Sequence, residues 1–186
     1  MIGINNELRD KCFNEAVKWG LRGKVYSSRT HLLLIIKTFI KARELHEADK
    51  FADRSEYDNS DLRFEFKFKY NINGTFEDKL ADLVILCLDF AGVENLDMSF
   101  FNKPVIPLFI TDINGAMSNF DDFMLAGIGL LYEKGYTVHV KIIMLINMLL
   151  AYAKGTGIDL LWHIEHKIKF LDIVYIYADW KYINKE

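Results

Sequence analysis

The sequence contains little cysteine and little proline. Its 186 residues include only two Cys and two Pro, beside 11 Gly. Cys12 and Cys87 are far apart and match no metal-ligand spacing, so free thiols in a reducing compartment are expected. So few prolines argue against a turn-rich all-β sandwich and leave room for long uninterrupted helices.

The sequence also lacks a large excess of charge and a long apolar run. Its formal net charge is −3, which gives no electrostatic reason to expect nucleic acid or a membrane as a partner. Residues 1–16 contain acids and no apolar core, so no signal peptide is predicted. The longest apolar stretch, 142–153, is interrupted by Asn147 and is shorter than the roughly 20 residues of a membrane span. A cytoplasmic protein is therefore expected.

Apolar residues make up 51% of the chain and recur mostly at helical spacing. Ser27 or Ser28, and Thr75, are suited to cap the helices that follow them. We predict a single all-α domain over 1–186 with five or six helices around one core. The predicted helices cover residues 5–19, 28–50, 76–92, 119–134, 138–154 and 159–170.

Two periodicities compete in residues 62–72. Aromatic residues at every second position from Phe64 to Tyr70 alternate as in a strand. Phe64, Phe68 and Ile72 also lie at i, i+4 and i+8, as on one face of a helix. From periodicity alone we predict a strand.

A short pattern occurs twice, at a constant offset of 62 residues. In each copy an apolar helix ends in a short loop followed by a hydrophobic-Asp-hydrophobic triplet. The pattern indicates a duplicated helical hairpin, with halves of roughly 1–98 and 112–186 joined around Pro104 and Pro107. The alternative, that a helix followed by a loop and Asp is simply common, stays open. The copies are Phe90-Ala91 with Leu96-Asp97-Met98, and Tyr152-Ala153 with Ile158-Asp159-Leu160.

Three acids share one face of the predicted helix 76–92. At 100° per residue, Asp78, Asp82 and Asp89 lie within about 40° of one another. An acid in so apolar a helix has to be paired, bind a cation or face solvent. Both a solvated face and a functional cluster are consistent with this spacing.

Glu44 and Glu47 form a carboxylate pair at i, i+3 on the helix predicted over 28–50. If that helix packs antiparallel to the helix of Asp82, the acids could together gather Mg²⁺, which prefers oxygen ligands. Taken alone, such a pair is also typical of a solvated helix face.

Other catalytic signals are weaker. His163 and His166 lie at i, i+3, which permits a metal on a helix face, although ordinary surface histidines explain this spacing better. The sequence contains no Gly-rich phosphate loop, no GxSxG motif and no plausible Cys and His nucleophile arrangement.

Three phrases resemble one family. They are ELHEADK (44–50), FEFKFKYNINGTFEDKLADLVILCLDFAG (64–92) and GIDLLWHIEHKIKF (157–170). They are similar to phrases of the MazG-like, all-α nucleoside triphosphate pyrophosphohydrolases, which are related to dimeric dUTPases. The resemblance implies a helical bundle in which 64–72 is helical rather than extended. It further implies Mg²⁺ bound by an ExxE and an ExxD motif, hydrolysis of nucleoside triphosphates to monophosphate and pyrophosphate, and a possible homodimer.

The chain departs from the family at the metal positions. In the ExxD phrase the Glu position is Lys79, and only Asp82 remains. For the ExxE phrase, alignment on 47–49 gives Lys41 and Glu44, and alignment on 32–36 gives Thr38 and Lys41. Neither alignment supplies both carboxylates.

The C-terminal phrase of the family, KxKYNxxR, is expected to hold substrate phosphates. It begins here at Lys167, and its Asn and Arg positions are Leu171 and Val174. Lys169 remains the candidate for contact with phosphate.

Two interpretations follow from these replacements. Lysines at positions 41 and 79 change the local charge by about +4, so a divalent ion would be held poorly, and the lysines could pair with Glu44 and Asp82 or contact phosphate. In the first interpretation the chain is a degenerate homologue that acts as a nucleotide-binding or interaction module. In the second it is an active Mg²⁺-dependent pyrophosphohydrolase. Its rearranged metal site would use Glu44, Glu47, Asp78 and Asp82.

Overall fold

The computed structural model of the protein describes residues 3–16, 18, 27–102 and 119–183. These ranges form eight α-helices and one 3-10 helix and contain no strand, which confirms the all-α class. The elements are α1 (Asn6–Glu15), α2 (Ser28–Glu47), α3 (Arg54–Asn59), α4 (Phe64–Asn71), α5 (Phe76–Val93), a 3-10 helix (Ser99–Asn102), α6 (Phe120–Tyr132), α7 (Val138–Gly155) and α8 (Leu160–Ile183).

Two predicted caps are confirmed. Ser27 Oγ accepts a hydrogen bond from the backbone N–H of Thr30 at 3.2 Å, before α2. Thr75 Oγ1 accepts the N–H of Asp78 at 3.4 Å, before α5. Each hydroxyl satisfies one backbone donor that has no partner within its own helix. Helix α8 continues to Ile183, beyond its predicted end at residue 170, because the sequence after Gly157 contains neither Gly nor Pro.

The strand predicted from alternation in residues 62–72 is wrong, because this segment contains helix α4. The spacing of four residues decides the structure: Phe68 is fully buried and stacks on Phe170 with ring centroids 4.7 Å apart. Phe66 and Tyr70, which a half-buried strand would place on the same face as Phe68, are 41% and 66% exposed. The helical structure that the family resemblance implies for this segment is therefore observed.

Helix α5 lies at the centre of the bundle, and α1, α2, α7 and α8 pack against it. Gly92, the last residue of the helix predicted over 76–92, lies inside α5, next to Phe13 of α1. A Cβ at this position would be 2.4 Å from Phe13 Cβ, so any larger residue would push α1 away. Asn95 takes the left-handed conformation after the helix end, with φ 51°.

The repeated pattern has the same local geometry in both copies. After α5, Leu96 N–H donates to Ala91 O at 2.8 Å, and after α7, Ile158 N–H donates to Ala153 O at 2.7 Å. The end of α2, however, makes the equivalent bond from Lys50 N–H at 2.9 Å, and it is not part of the repeat. A shared helix-end motif explains the match without duplication. The internal duplication stays a prediction, and the predicted joint at residues 104–107 lies outside the described residues.

Helix α7 is long and apolar enough to cross a membrane, judged by length and composition, with a mean hydropathy of 1.4. Within the bundle, 44% of it is buried. The buried side of α7 includes Lys141, whose Nζ donates to Leu131 O at the end of α6 at 2.9 Å. Because core helices of soluble proteins have the same length and composition, α7 alone is weak evidence for a membrane.

Candidate functional site

A buried ion-pair network lies where the first turns of α5 meet α8. Lys167 Nζ, from α8, donates to Asp78 Oδ1 at 2.9 Å and to Asp78 Oδ2 at 2.8 Å. It also lies 3.4 Å from Asp82 Oδ1 and donates to Asn73 Oδ1 at 3.3 Å. Asp78 is 1% exposed and Lys167 is 5% exposed. A single ammonium group therefore brings together Asp78 and Asp82, two acids of the first two turns of α5.

A second lysine completes this network on its solvent side. Lys79 Nζ donates to Asp82 Oδ2, and the side chains of both residues are about one-fifth exposed. Asp78 Oδ2 additionally accepts the N–H of Gly74 at 2.9 Å, across the turn before α5. Both carboxylates are thus engaged by cations of this chain. We call Asp78, Asp82, Lys79 and Lys167 the ion-pair network.

Burial and the charges of neighbouring groups shift the pKa values of Asp78 and Lys167 in opposite directions. Burial raises the pKa of Asp78, and the Lys167 charge opposes this shift. Burial lowers the pKa of Lys167, but the nearby carboxylates of Asp82 and Asp78 outweigh it and raise that pKa overall. The ammonium form of Lys167 is therefore favoured near neutral pH.

The four acids proposed as metal ligands are only partly brought together. Asp78 and Asp82 share Lys167, whereas Glu47 lies 2.6 Å from Arg43, at i, i+4 on the exposed side of α2. Glu44 lies on an open cavity beside α5 and makes no ion pair among the described residues. Within the described ranges, no group of three or more His, Cys, Asp or Glu side chains could hold a metal ion.

The residues present do not fit Mg²⁺. A hard cation of this kind is held by carboxylate and water oxygens. Both carboxylates of the ion-pair network already face ammonium groups, which would repel a divalent ion and would have to leave before it could bind. The arrangement of Asp78 and Asp82 therefore favours the two lysines of this chain over a divalent cation.

A cavity of about 350 Å³ opens beside the ion-pair network, between the end of α2 and the start of α5. We call it the lysine cleft. Its lining residues within the described ranges are Lys41, Glu44, Leu45, Ala48, Lys50, Gly74 and Lys79. With three lysines and one glutamate, the lining carries a net charge of about +2 at neutral pH. Lys41 and Lys79, at positions where the resemblance leads one to expect acids, thus line one cavity.

The remaining sequence candidates lie away from this cavity. Lys169, the phosphate candidate, lies with its Nζ 4.3 Å from the ring centroid of Phe64 and is not among the described residues that line the lysine cleft. Asp89 is buried beside His31, whose Nε2 is 3.4 Å from Asp89 Oδ2, so it does not belong to the ion-pair network. Cys12 and Cys87 are free and buried, as expected for unpaired thiols, and burial raises the pKa of both.

Two residues of the candidate site, Lys167 and Lys50, are missed by sequence reasoning. Lys167 is visible there only as the first residue of a family phrase, and Lys50 only as part of a charged helix end. The pairing of Lys167 with Asp78 joins residues 89 positions apart, and no local pattern predicts it. Lys50 follows Asp49, whose left-handed backbone turns the chain towards α5 after the end of α2. In the sequence this turn looks like any other helix end, so it does not single out Lys50.

The expectation that His163 and His166 are ordinary surface histidines is wrong. His163 is only 2% exposed, and its Nδ1 makes no hydrogen bond within the described part of the chain. His166 is half-buried, and its ring stacks on Trp162 with centroids 3.8 Å apart. Arg54 lies 4.2 Å above the Trp162 ring centroid on the side of α3. Trp162, which both histidine rings contact, packs against a small apolar cluster formed by Tyr57, Phe68, Ile72 and Phe170.

The buried His163 predicts a loss of stability in acid. Burial, helped by the Arg54 charge, lowers the pKa of His163 from 6.5 to about 4. The unfolded chain therefore binds a proton between these pH values that the folded chain rejects, so stability falls as pH decreases from 6.5 towards 4. We expect this histidine alone to cost about 2 kcal/mol between pH 7 and pH 5. Urea unfolding at several pH values measures it.

The variant for this measurement is His163→Gln. It removes the buried titrating ring, so its unfolding free energy should depend less on pH than that of the unmodified chain. Equal pH dependence in the His163→Gln variant and the unmodified chain would contradict the assignment.

Comparison of the chain with protein-family models, with curated proteins and with solved structures finds no match. The function is therefore inferred from the geometry of the ion-pair network and the lysine cleft, together with the sequence phrases.

Proposed function

We propose that this chain is a MazG-like helical bundle whose metal site has become a network of lysine and aspartate pairs, and that it acts as a nucleotide-binding module. The proposal rests on one observation above all: Lys167 and Lys79 occupy the carboxylates of Asp78 and Asp82. Of these residues, Lys79 and Asp82 stand at the positions where the resemblance leads one to expect ligands for Mg²⁺. Lysine can bind phosphate as a point charge, but it cannot replace a metal in activating water.

In a related form of this proposal, the chain is an interaction module that binds no nucleotide. The lysine cleft favours nucleotide, because its lining carries more cations than anions and lies beside the ion-pair network. A nucleotide carries its negative charge on adjacent phosphate groups, which such a lining attracts.

The test is a pyrophosphate-release assay with the full chain, a panel of ribo- and deoxyribonucleoside triphosphates, and Mg²⁺ or Mn²⁺. We expect no release above the same reaction in EDTA, while calorimetry detects triphosphate binding in both conditions. Robust release of pyrophosphate that requires the divalent ion would overturn the proposal. Absence of any triphosphate binding would overturn the nucleotide-binding role.

A second candidate is an active Mg²⁺-dependent pyrophosphohydrolase with a rearranged site. It is favoured by the proximity of two carboxylates to one ammonium group, since Lys167 Nζ lies 2.8 Å from Asp78 and 3.4 Å from Asp82. Movement of Lys167 would leave two acids free for a cation. Glu47, one of the four acids predicted for this site, is paired with Arg43 instead, so Asp78 and Asp82 are the ligands to test. If this candidate is correct, pyrophosphate release should be abolished in the Asp82→Asn variant and retained in Glu47→Gln.

A further inference from the structure

The lysines of the lysine cleft differ in whether they are already neutralised. Lys79 is paired with Asp82. Lys41 and Lys50 make no hydrogen bond or ion pair through their side chains within the described ranges, and both are exposed. Two ammonium groups of this cavity are therefore available to an anion from solution without the loss of an existing ion pair.

The backbone fixes the position of Lys50 against the start of α5. Lys50 O accepts the N–H of Phe76 at 2.8 Å, and Lys50 N–H donates to Leu45 O at 2.9 Å. The following loop is held in the same way, because Ala52 N–H donates to Glu77 Oε2 at 2.8 Å. The lysines at 41, 50 and 79 thus project from α2, from the turn after it and from α5, which surround one cavity on different sides.

The lining of the cleft selects charge rather than a nucleobase. Its apolar side chains within the described ranges are Leu45 and Ala48, and none of these lining residues is aromatic. Stacking on an aromatic ring is a common way to bind a base, and this lining offers none. Because its cations come from several sides, an anion with adjacent charged groups can pair with more of them than a single phosphate can.

We propose that the lysine cleft binds an oligophosphate group directly through Lys41 and Lys50, without a divalent cation and without reading the base, while Lys79 stays paired with Asp82 at the edge of the cleft. This inference rests on the proposed function and defines the ligand chemistry of the same site. The oligophosphate can belong to a nucleoside triphosphate or be free in solution. The two sources present the same chain of phosphates to the lysines, and binding experiments distinguish them.

The test is calorimetry on the full chain in EDTA with four probes: tripolyphosphate, ATP, CTP and AMP. We expect tripolyphosphate, ATP and CTP to bind with dissociation constants within about threefold of one another. AMP, with a single phosphate, should bind at least about tenfold more weakly. Raising the salt concentration should weaken all of these interactions, because they depend on exposed charges.

Matched lysine variants locate the binding. Lys41→Gln and Lys50→Gln should each weaken tripolyphosphate binding by about tenfold, since each removes a charged contact. Lys134→Gln removes the same charge from an exposed turn that is not among the described residues of the cleft, and should bind as the unmodified chain does. Both cleft lysines are exposed, so their variants are expected to fold, which an unchanged unfolding midpoint would verify.

The outcomes separate this inference from the proposed function. If tripolyphosphate does not bind, or if the Lys41→Gln and Lys50→Gln variants bind like Lys134→Gln, the lysine cleft is not the oligophosphate site. Should ATP bind while tripolyphosphate fails to compete, the inference is overturned and nucleotide binding survives. Pyrophosphate release that requires a divalent ion would instead overturn the proposed function. The titrations in EDTA would still show whether the lysine cleft binds oligophosphate.

Discussion

Replacement of Lys167 by Met is expected to lower the free energy of unfolding by about 3–5 kcal/mol, the usual cost of removing one partner of a buried ion pair. Asp78 is 1% exposed and accepts two contacts from this ammonium group. Without Lys167 its buried carboxylate keeps the N–H of Gly74 as a hydrogen-bond donor but loses its ammonium partner. Chemical denaturation with urea measures the change.

A double-mutant cycle distinguishes the ion pair from simple loss of packing. In the Lys167→Met, Asp78→Asn double variant no buried charge is left unpaired, and the amide oxygen can still accept from Gly74. We therefore expect the double variant to be more stable than Lys167→Met alone. Lys169→Met, two residues along α8 and exposed, is the matched control and should change stability by about 0.5 kcal/mol or less.

The assignment of Lys167 would be contradicted by either of two results. One is a cost below about 1 kcal/mol for Lys167→Met, since this is the range of exposed ion pairs. The other is strict additivity of the two substitutions, because residues in direct contact are expected to be energetically coupled. In both cases Asp78 would be solvated or neutral in the folded chain, and its carboxyl would again be a candidate for another partner.

Much of the fold can be predicted from local sequence signals. Thr75 followed by acids marks the start of α5, and the spacing of Phe64, Phe68 and Ile72 marks the buried face of α4. Alternation favours a strand at α4 because short apolar segments satisfy both periods. The segment is helical because a helix lets Phe68 pack against Phe170 of α8. This contact joins residues that are distant in sequence, so local periodicity does not reveal it.

The candidate site is less predictable, because its contacts join distant segments. The sequence indicates that Lys79 could pair with Asp82, and this i, i+3 pair is observed. The partner that Asp78 and Asp82 share, Lys167, comes from a helix that begins more than seventy residues after Asp82. Glu44 and Glu47 are one turn apart, yet Arg43 draws one of them away from the cleft. The spacing of residues along a helix predicts which of them share a face, but it does not predict which residue of another helix packs against that face.

Replacement of Phe76 by Ala is expected to cost about 3–5 kcal/mol of unfolding free energy, as is typical of a large ring removed from a packed core. Phe76 is 1% exposed at the start of α5. Its ring lies 4.8 Å from that of Phe120, 4.9 Å from that of His46 and 5.9 Å from that of Phe51, measured between centroids. The ring thus joins α2, α5 and α6 directly behind the lysine cleft.

The control for this substitution is Phe66→Ala, which removes the same atoms from the exposed side of α4. Phe66 is 41% exposed, so its loss should cost about 0.5 kcal/mol. Phe76→Leu should give an intermediate cost, because Leu refills part of the cavity. Equal losses of unfolding free energy for Phe76→Ala and Phe66→Ala would show that the ring contacts of Phe76 do not stabilise the bundle. Where Phe76→Ala is destabilised as expected, weaker tripolyphosphate binding should accompany it. The backbone N–H at position 76 remains, but the ring that packs against Phe51, the residue next to Lys50, is lost.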